Sequence, residues 1–105
     1  IETHKLWFND SLMNPRRKIY ILEENKIPVG TIRADILIKD KYLLSWSISP
    51  IQRGKGYGTK ILEMYLKNKK GEFIAKIKPE NIPSIKMAKN NGFKYLNETK
   101  YVKQQ

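Results

Sequence analysis

Six residues near the middle of the chain, Arg53-Gly54-Lys55-Gly56-Tyr57-Gly58, carry its clearest chemical signal. Three glycines remove the side chains that would hold a ligand away from the backbone. The first N–H groups of a helix that follows lack partners within it, and the helix dipole favours an exposed anion there by about 0.3–1 kcal/mol. Arg53 and Lys55 add mobile positive charge. The pattern is one that phosphate can approach. No Gly-Lys-Ser/Thr follows, which excludes a Walker loop, and a dinucleotide fingerprint would require a first-strand position with an acidic residue about 20 residues on. The expected ligand is a phosphate-bearing molecule of another kind. The same glycines also suit a tight strand-to-helix packing turn, with Tyr57 as the first packing residue of the helix.

The elements around the loop follow from periodicity. Residues 3–13 place Leu6, Trp7, Phe8, Leu12 and Met13 at three- and four-residue spacings before Asn14-Pro15, which predicts an amphipathic helix. Residues 18–23 and 28–35 alternate around the polar Glu24-Asn25-Lys26 turn and predict an antiparallel hairpin. Residues 42–49 form a third strand, with Leu44, Trp46 and Ile48 on one face and Ser45, Ser47 and Ser49 on the other. After the glycine loop, residues 59–70 carry a helical stripe of Ile61, Leu62, Tyr65 and Leu66, with Gly71 as the expected C-terminal cap. Residues 73–78 are a fourth strand, completing a strand-helix-strand crossover with a parallel pair. Asn81 and Pro83 open a short helix ending at Gly92, and residues 93–96 and 99–103 form a terminal hairpin.

Composition bounds the function. The 105 residues hold 21 Lys and Arg against 10 Asp and Glu, a net charge of +11, so a single basic domain over residues 1–105 is expected. Cysteine is absent, which removes disulfides, zinc-thiolate sites and thiol nucleophiles, and no metal is called for. The apolar runs are far short of the ~20 residues that cross a bilayer, and no leader precedes the domain, so the default expectation is a cytoplasmic protein. Because the chain starts at Ile1 inside a periodic pattern, it reads as a fragment of a larger fold.

The string from Trp46 to Gly58, followed by Asn81-Ile-Pro-Ser84 and Asn91-Gly-Phe93, resembles the GNAT superfamily of acetyl-coenzyme A dependent N-acetyltransferases. The resemblance covers residues 19–93. Its loop is similar to the family's Arg/Gln-x-x-Gly-x-Gly/Ala pattern, and Asn81, Ser84 and Gly92-Phe93 are similar to its C-terminal motif. The opening His4-x-x-Trp7-Phe8 is similar to the branch that acetylates nucleotide-linked amino sugars. The implied fold is α/β of the α+β kind: a mixed, mostly antiparallel sheet with helices on both sides, lacking the first strand and helix. The implied cofactor is acetyl-CoA as co-substrate. Main-chain amides of Arg53, Gly54, Lys55, Gly56, Tyr57, Gly58 and Thr59 would hold its pyrophosphate, Ile48 and Ser49 would pair with its pantetheine arm, and Asn81 and Ser84 would contact the arm or the departing thiol. A strand amide would stabilise the oxyanion as the amine attacks directly in a ternary complex.

Two family positions depart from the pattern: Ala88 stands where many members carry an acidic Tyr, and Leu43 where many carry a Glu base. Asp35 and Ser47 are the expected catalytic substitutes, and His4 and Trp7 the expected substrate contacts. Each has a plainer reading: a turn-facing carboxylate, strand serines under solvent, a solvated histidine and a core indole. The expected activity is acetyl transfer to a primary amine of a small molecule, such as an amino sugar. The alternatives are a coenzyme-binding protein without turnover, motivated by Ala88 and Leu43, and a basic nucleic-acid-binding module. The scattered lysines and the lack of a nucleic-acid motif weigh against the last of these. An unpaired sheet edge in a shortened chain points to a homodimer.

Overall fold

A computed structural model describes residues 4–9, 14–49 and 56–105 of the chain. In chain order the elements are β1 (His4–Asn9), β2 (Arg17–Glu24), β3 (Ile27–Ile38), β4 (Lys41–Ile48), α1 (Tyr57–Leu66), β5 (Glu72–Lys76), α2 (Ile82–Asn90), β6 (Lys94–Asn97) and β7 (Lys100–Gln104). They form one sheet in the order β1-β2-β3-β4-β5-β7-β6, in which β4 and β5 are parallel and the other pairs antiparallel. The crossover from β4 through α1 to β5 and the terminal β6–β7 hairpin are as the sequence predicts.

One face of the sheet carries the core. Ala34, Leu44 and Ala75 stand in register across β3, β4 and β5, and Phe8, Tyr20 and Ile32 across β1, β2 and β3, so their side chains share a side. Phe73, Leu22, Ile32, Ile61 and Leu62 are wholly buried, each favouring the fold by about 1.5–3 kcal/mol over exposure. Helix α1 lays Ile61, Leu62, Tyr65 and Leu66 on this face, and α2 adds Met87 and Ala88. Both helices lie on the same side: a Cβ on Gly30 of β3 would come within 3.6 Å of Ile61 Cδ1, and one on Gly58 of α1 within 2.2 Å of Met87 Sδ. Among the described residues no helix covers the other face, contrary to the expectation of helices on both sides.

Two local predictions are corrected. The segment expected as a helix over residues 3–13 contains β1, because Leu6 and Phe8 also alternate, and they face Leu22 and Tyr20 across a six-residue antiparallel pairing with β2. Helix α1 ends at Leu66, four residues before the predicted end at residue 70, and Gly71 caps nothing. Gly71 has φ +137, and a Cβ there would meet the Asp40 carbonyl oxygen at 2.6 Å, so glycine is required where these two segments approach at the start of β5. No described helix is long and apolar enough to cross a membrane.

Candidate functional site

The sheet opens between β4 and β5. Their parallel pairing runs from Lys41↔Glu72 to Leu44↔Ala75 and ends there, while β4 continues to Ile48 on its other side against β3. The end of β5 stays with β7: Lys76 pairs with Lys100, and the Ile77 N–H donates to the Thr99 carbonyl at 2.8 Å. The two strands therefore part after Leu44, each held by its outer neighbour.

Backbone parity says which groups face the opening. The Ser49 N–H donates to the Val29 carbonyl at 2.9 Å, so the main-chain groups of Ser45, Ser47 and Ser49 point towards β3. Those of Trp46 and Ile48 point towards the opening. Their side chains lie on the helix-covered face, packed against the core, whereas Ser45 and Ser47 are exposed on the opposite face. The Trp46 indole Nε1 donates to Ser84 Oγ at 3.2 Å, and this bond closes the α2 side of the opening. Asn81 is the N-cap of α2, with its Oδ1 accepting from the Ser84 N–H at 3.3 Å. The Asn-x-x-Ser spacing thus sets the first turn of α2 and aims its hydroxyl at β4.

Beyond this same end of β4 the chain leads to α1. Arg53, Gly54 and Lys55 lie outside the described residues. Gly56 is the N-cap with φ +79; among the described residues no side chain caps this helix start, and a Cβ on Gly56 would meet none of them within 4 Å. Gly58 has the opposite reason to be glycine, since Met87 fills the space its side chain would take. Tyr57 is buried and its hydroxyl donates to Glu24, so its ring is a packing group while its main chain belongs to the first turn. Thr59 accepts on Oγ1 from Asn90 at 3.4 Å and on its carbonyl from Asn91 at 3.2 Å, tying α1 to α2.

Ile48, Ser49, Gly56, Tyr57, Gly58, Thr59, Asn81 and Ser84 therefore frame one region formed by the end of β4 and the starts of α1 and α2. Asp35 does not border it. Its register partner is Leu43, inside the paired part of β4, and its carboxylate binds Arg17 Nε at 2.7 Å and Arg33 Nε at 3.4 Å. Trp7 pairs with Ile21 three strands from the opening, on the sheet face without helices. His4 pairs through its backbone with Glu24. Ala88 is wholly buried, and its carbonyl accepts from the Asn91 and Phe93 N–H groups. The residue that sequence reasoning left out of the site is Trp46. Its position on the apolar strand face was read, but a half-buried indole N–H also requires an acceptor, and that requirement was the available signal.

The stretch of β4 beyond its pairing with β5 and the glycine start of α1 fit a ligand with an extended amide-bearing arm and a diphosphate. Residues 1–93 match the family model described as Acetyltransferase (GNAT) family. None of the curated proteins matches. Among solved structures, the chain is similar to yncA, a putative acetyltransferase of Salmonella typhimurium described with its cofactor acetyl-CoA, at 20% identity and TM-score 0.74 over 84% of this chain and 64% of that one. It is similar to the N-acetyltransferase PseH of Campylobacter jejuni in complex with acetyl coenzyme A, at 15% identity and TM-score 0.75 over 88% and 70%. A GNAT-family acetyltransferase of Bacillus anthracis gives 22% identity and TM-score 0.75 over 90% and 69%. The chain spans about two thirds of the length of these proteins.

Proposed function

Because the chain belongs to the acetyltransferase (GNAT) family, we propose that it transfers an acetyl group from acetyl-CoA to a primary amine of a small molecule. The observation that carries this reading is the end of β4–β5 pairing at Leu44↔Ala75, four residues before β4 runs out towards the glycine loop. A thioester lying in that opening would have the main chain of Trp46 and Ile48 along its arm and the first turn of α1, with Gly56, beside its diphosphate. Asn81 and Ser84 set the opposite wall.

Direct attack by the amine fits these residues. A main-chain N–H of β4 facing the opening donates to the carbonyl oxygen as it gains charge, a contribution worth about 2.7–4 kcal/mol where such donors are lost in other enzymes. The amine must be neutral to attack, and the thiolate must take up a proton. Ser47 is the nearer of the two expected proton-handling residues, lying on β4 beyond the last β4–β5 pair. Asp35 is one strand away and engaged by two guanidinium groups, so its part is to steady the acceptor side of the sheet. An amino sugar is the acceptor class suggested by the resemblance of His4-x-x-Trp7-Phe8. The exposed edge of β1 supports pairing with a second copy, tested by light scattering at working concentration.

A second reading has its own observation. Ala88 is buried and Leu43 half-buried, both without a titratable group where the family often has one, and a protein that binds acetyl-CoA without turnover would look like this. Thiol release measured across a panel of amines that includes amino sugars separates the two. Release that depends on the amine supports transfer, and binding without release supports the second reading.

A further inference from the structure

We propose that a cavity beneath the C-terminal end of α1, remote from the β4–β5 opening, binds a small dianionic oxyanion of the phosphate class. The cavity measures about 210 Å³, space for some seven waters at roughly 30 Å³ each. Its lining joins apolar and basic residues: the rings of Tyr20, Tyr42, Tyr65 and Phe73 with Ala34 and Ile36, and the three lysines Lys18, Lys69 and Lys70.

The rings form a continuous train. Tyr42 stacks on Phe73 at 5.2 Å and 14°, Phe73 meets Tyr65 edge-on at 6.1 Å, Tyr65 meets Tyr20 edge-on at 5.3 Å, and Tyr20 reaches Phe8 at 5.5 Å. The Lys69 ammonium lies 4.3 Å from the Tyr65 ring centre and 5.3 Å from that of Tyr20, and the Lys18 ammonium lies 5.9 Å from the Phe8 ring. Among the described residues no carboxylate pairs with Lys18, Lys69 or Lys70. Lys69 is pushed below the ordinary lysine range by its partial burial and by the charge of Lys18. Lys69 and Lys18 thus stand over aromatic rings, and among the described residues no carboxylate offsets their charge. A dianion placed there would offset both charges.

The test is an aromatic ¹H–¹³C NMR titration of the tyrosine-labelled chain with inorganic phosphate, with phenyl phosphate, and with acetate at matched ionic strength. Saturable shifts of Tyr20, Tyr42 and Tyr65 with either phosphate probe, weakened roughly tenfold by Lys69→Met and kept by Lys69→Arg, are expected. Tighter saturation by phenyl phosphate assigns the site to phosphomonoesters, and equal saturation assigns it to free phosphate. Linear shifts, shifts of the same size in Lys69→Met, or shifts produced equally by acetate overturn the proposal. Coenzyme A is titrated separately, and its effect is read at Gly56 and Trp46, so the two sites succeed or fail independently.

Discussion

The Trp46 indole N–H donates to the Ser84 hydroxyl at 3.2 Å, joining β4 to α2 across the place where β4 and β5 part. The bond makes the width of that opening depend on two side chains 38 residues apart in sequence. Ser84→Ala is expected to lower stability by about 0.5–1.5 kcal/mol, measured by urea unfolding. The chain has two tryptophans, so in a Trp7→Phe background Trp46 is the remaining fluorophore, and acetyl-CoA should change its emission saturably.

The two described loop glycines should fail in different ways. Gly58→Ala drives a methyl group into buried Met87, and a loss of about 1–3 kcal/mol is expected, smaller when Met87→Ala is made with it. Gly56→Ala meets no atom of the described residues but forces φ +79 on a side chain, at about 1–2 kcal/mol, and Gly56→Asn should cost less. Only the Gly56 substitutions place new atoms in the open space of the proposed diphosphate site. They should weaken coenzyme A binding by more than their stability cost accounts for, as read by calorimetry beside thermal unfolding.

Alkali should unfold the protein through its tyrosines. Burial raises the Tyr65 hydroxyl well above its ordinary value, with Tyr20 and Tyr42 adding to the effect, and burial with Tyr42 beside it raises Tyr20. Above the unfolded value of 10.0 the unfolded chain loses these protons while the folded chain keeps them, so stability falls as pH rises through that point. Ultraviolet titration should show fewer than six tyrosines ionising before unfolding, and Tyr65→Phe should flatten the alkaline loss of stability.

Acid acts on the strand edges. Glu72 accepts from Gln104 Nε2 at 3.0 Å and pairs with Lys41 Nζ at 3.3 Å, joining β5 to both its neighbours, and these contacts hold its carboxyl below the usual range. The stabilisation is present above the unfolded value and is lost as pH falls through the folded one. Glu72→Gln should therefore be less stable than the parent at neutral pH and indistinguishable from it once Glu72 is protonated, measured by thermal melts across the acid range.

What the sequence discloses divides along a physical line. Period-two alternation located β2 to β5, and the Asn81–Pro83 and Gly92 signals located α2, because burial on one face writes itself into every second or fourth residue. The same logic misled at β1, where Leu6, Trp7 and Phe8 satisfy both periods and the pairing with β2 decides. The end of α1 was hidden because Lys67-Asn68-Lys69-Lys70 is polar throughout and offers no period, and the left-handed turn at Asn68, φ +61, falls on a residue that helices also tolerate. Within the site, the glycines and Asn81 were legible as backbone requirements. Trp46 with Ser84, Tyr57 with Glu24, and Asp35 with Arg17 and Arg33 were not, since each joins residues that only the folded sheet brings together.

Calorimetric titration of the chain with acetyl-CoA tests the central claim most directly. The account predicts saturable binding of one molecule per chain, with affinity reduced by Gly56→Ala and unaffected by Lys69→Met. An absence of heat of binding at millimolar acetyl-CoA, from a chain shown to be folded by its thermal transition, would contradict it.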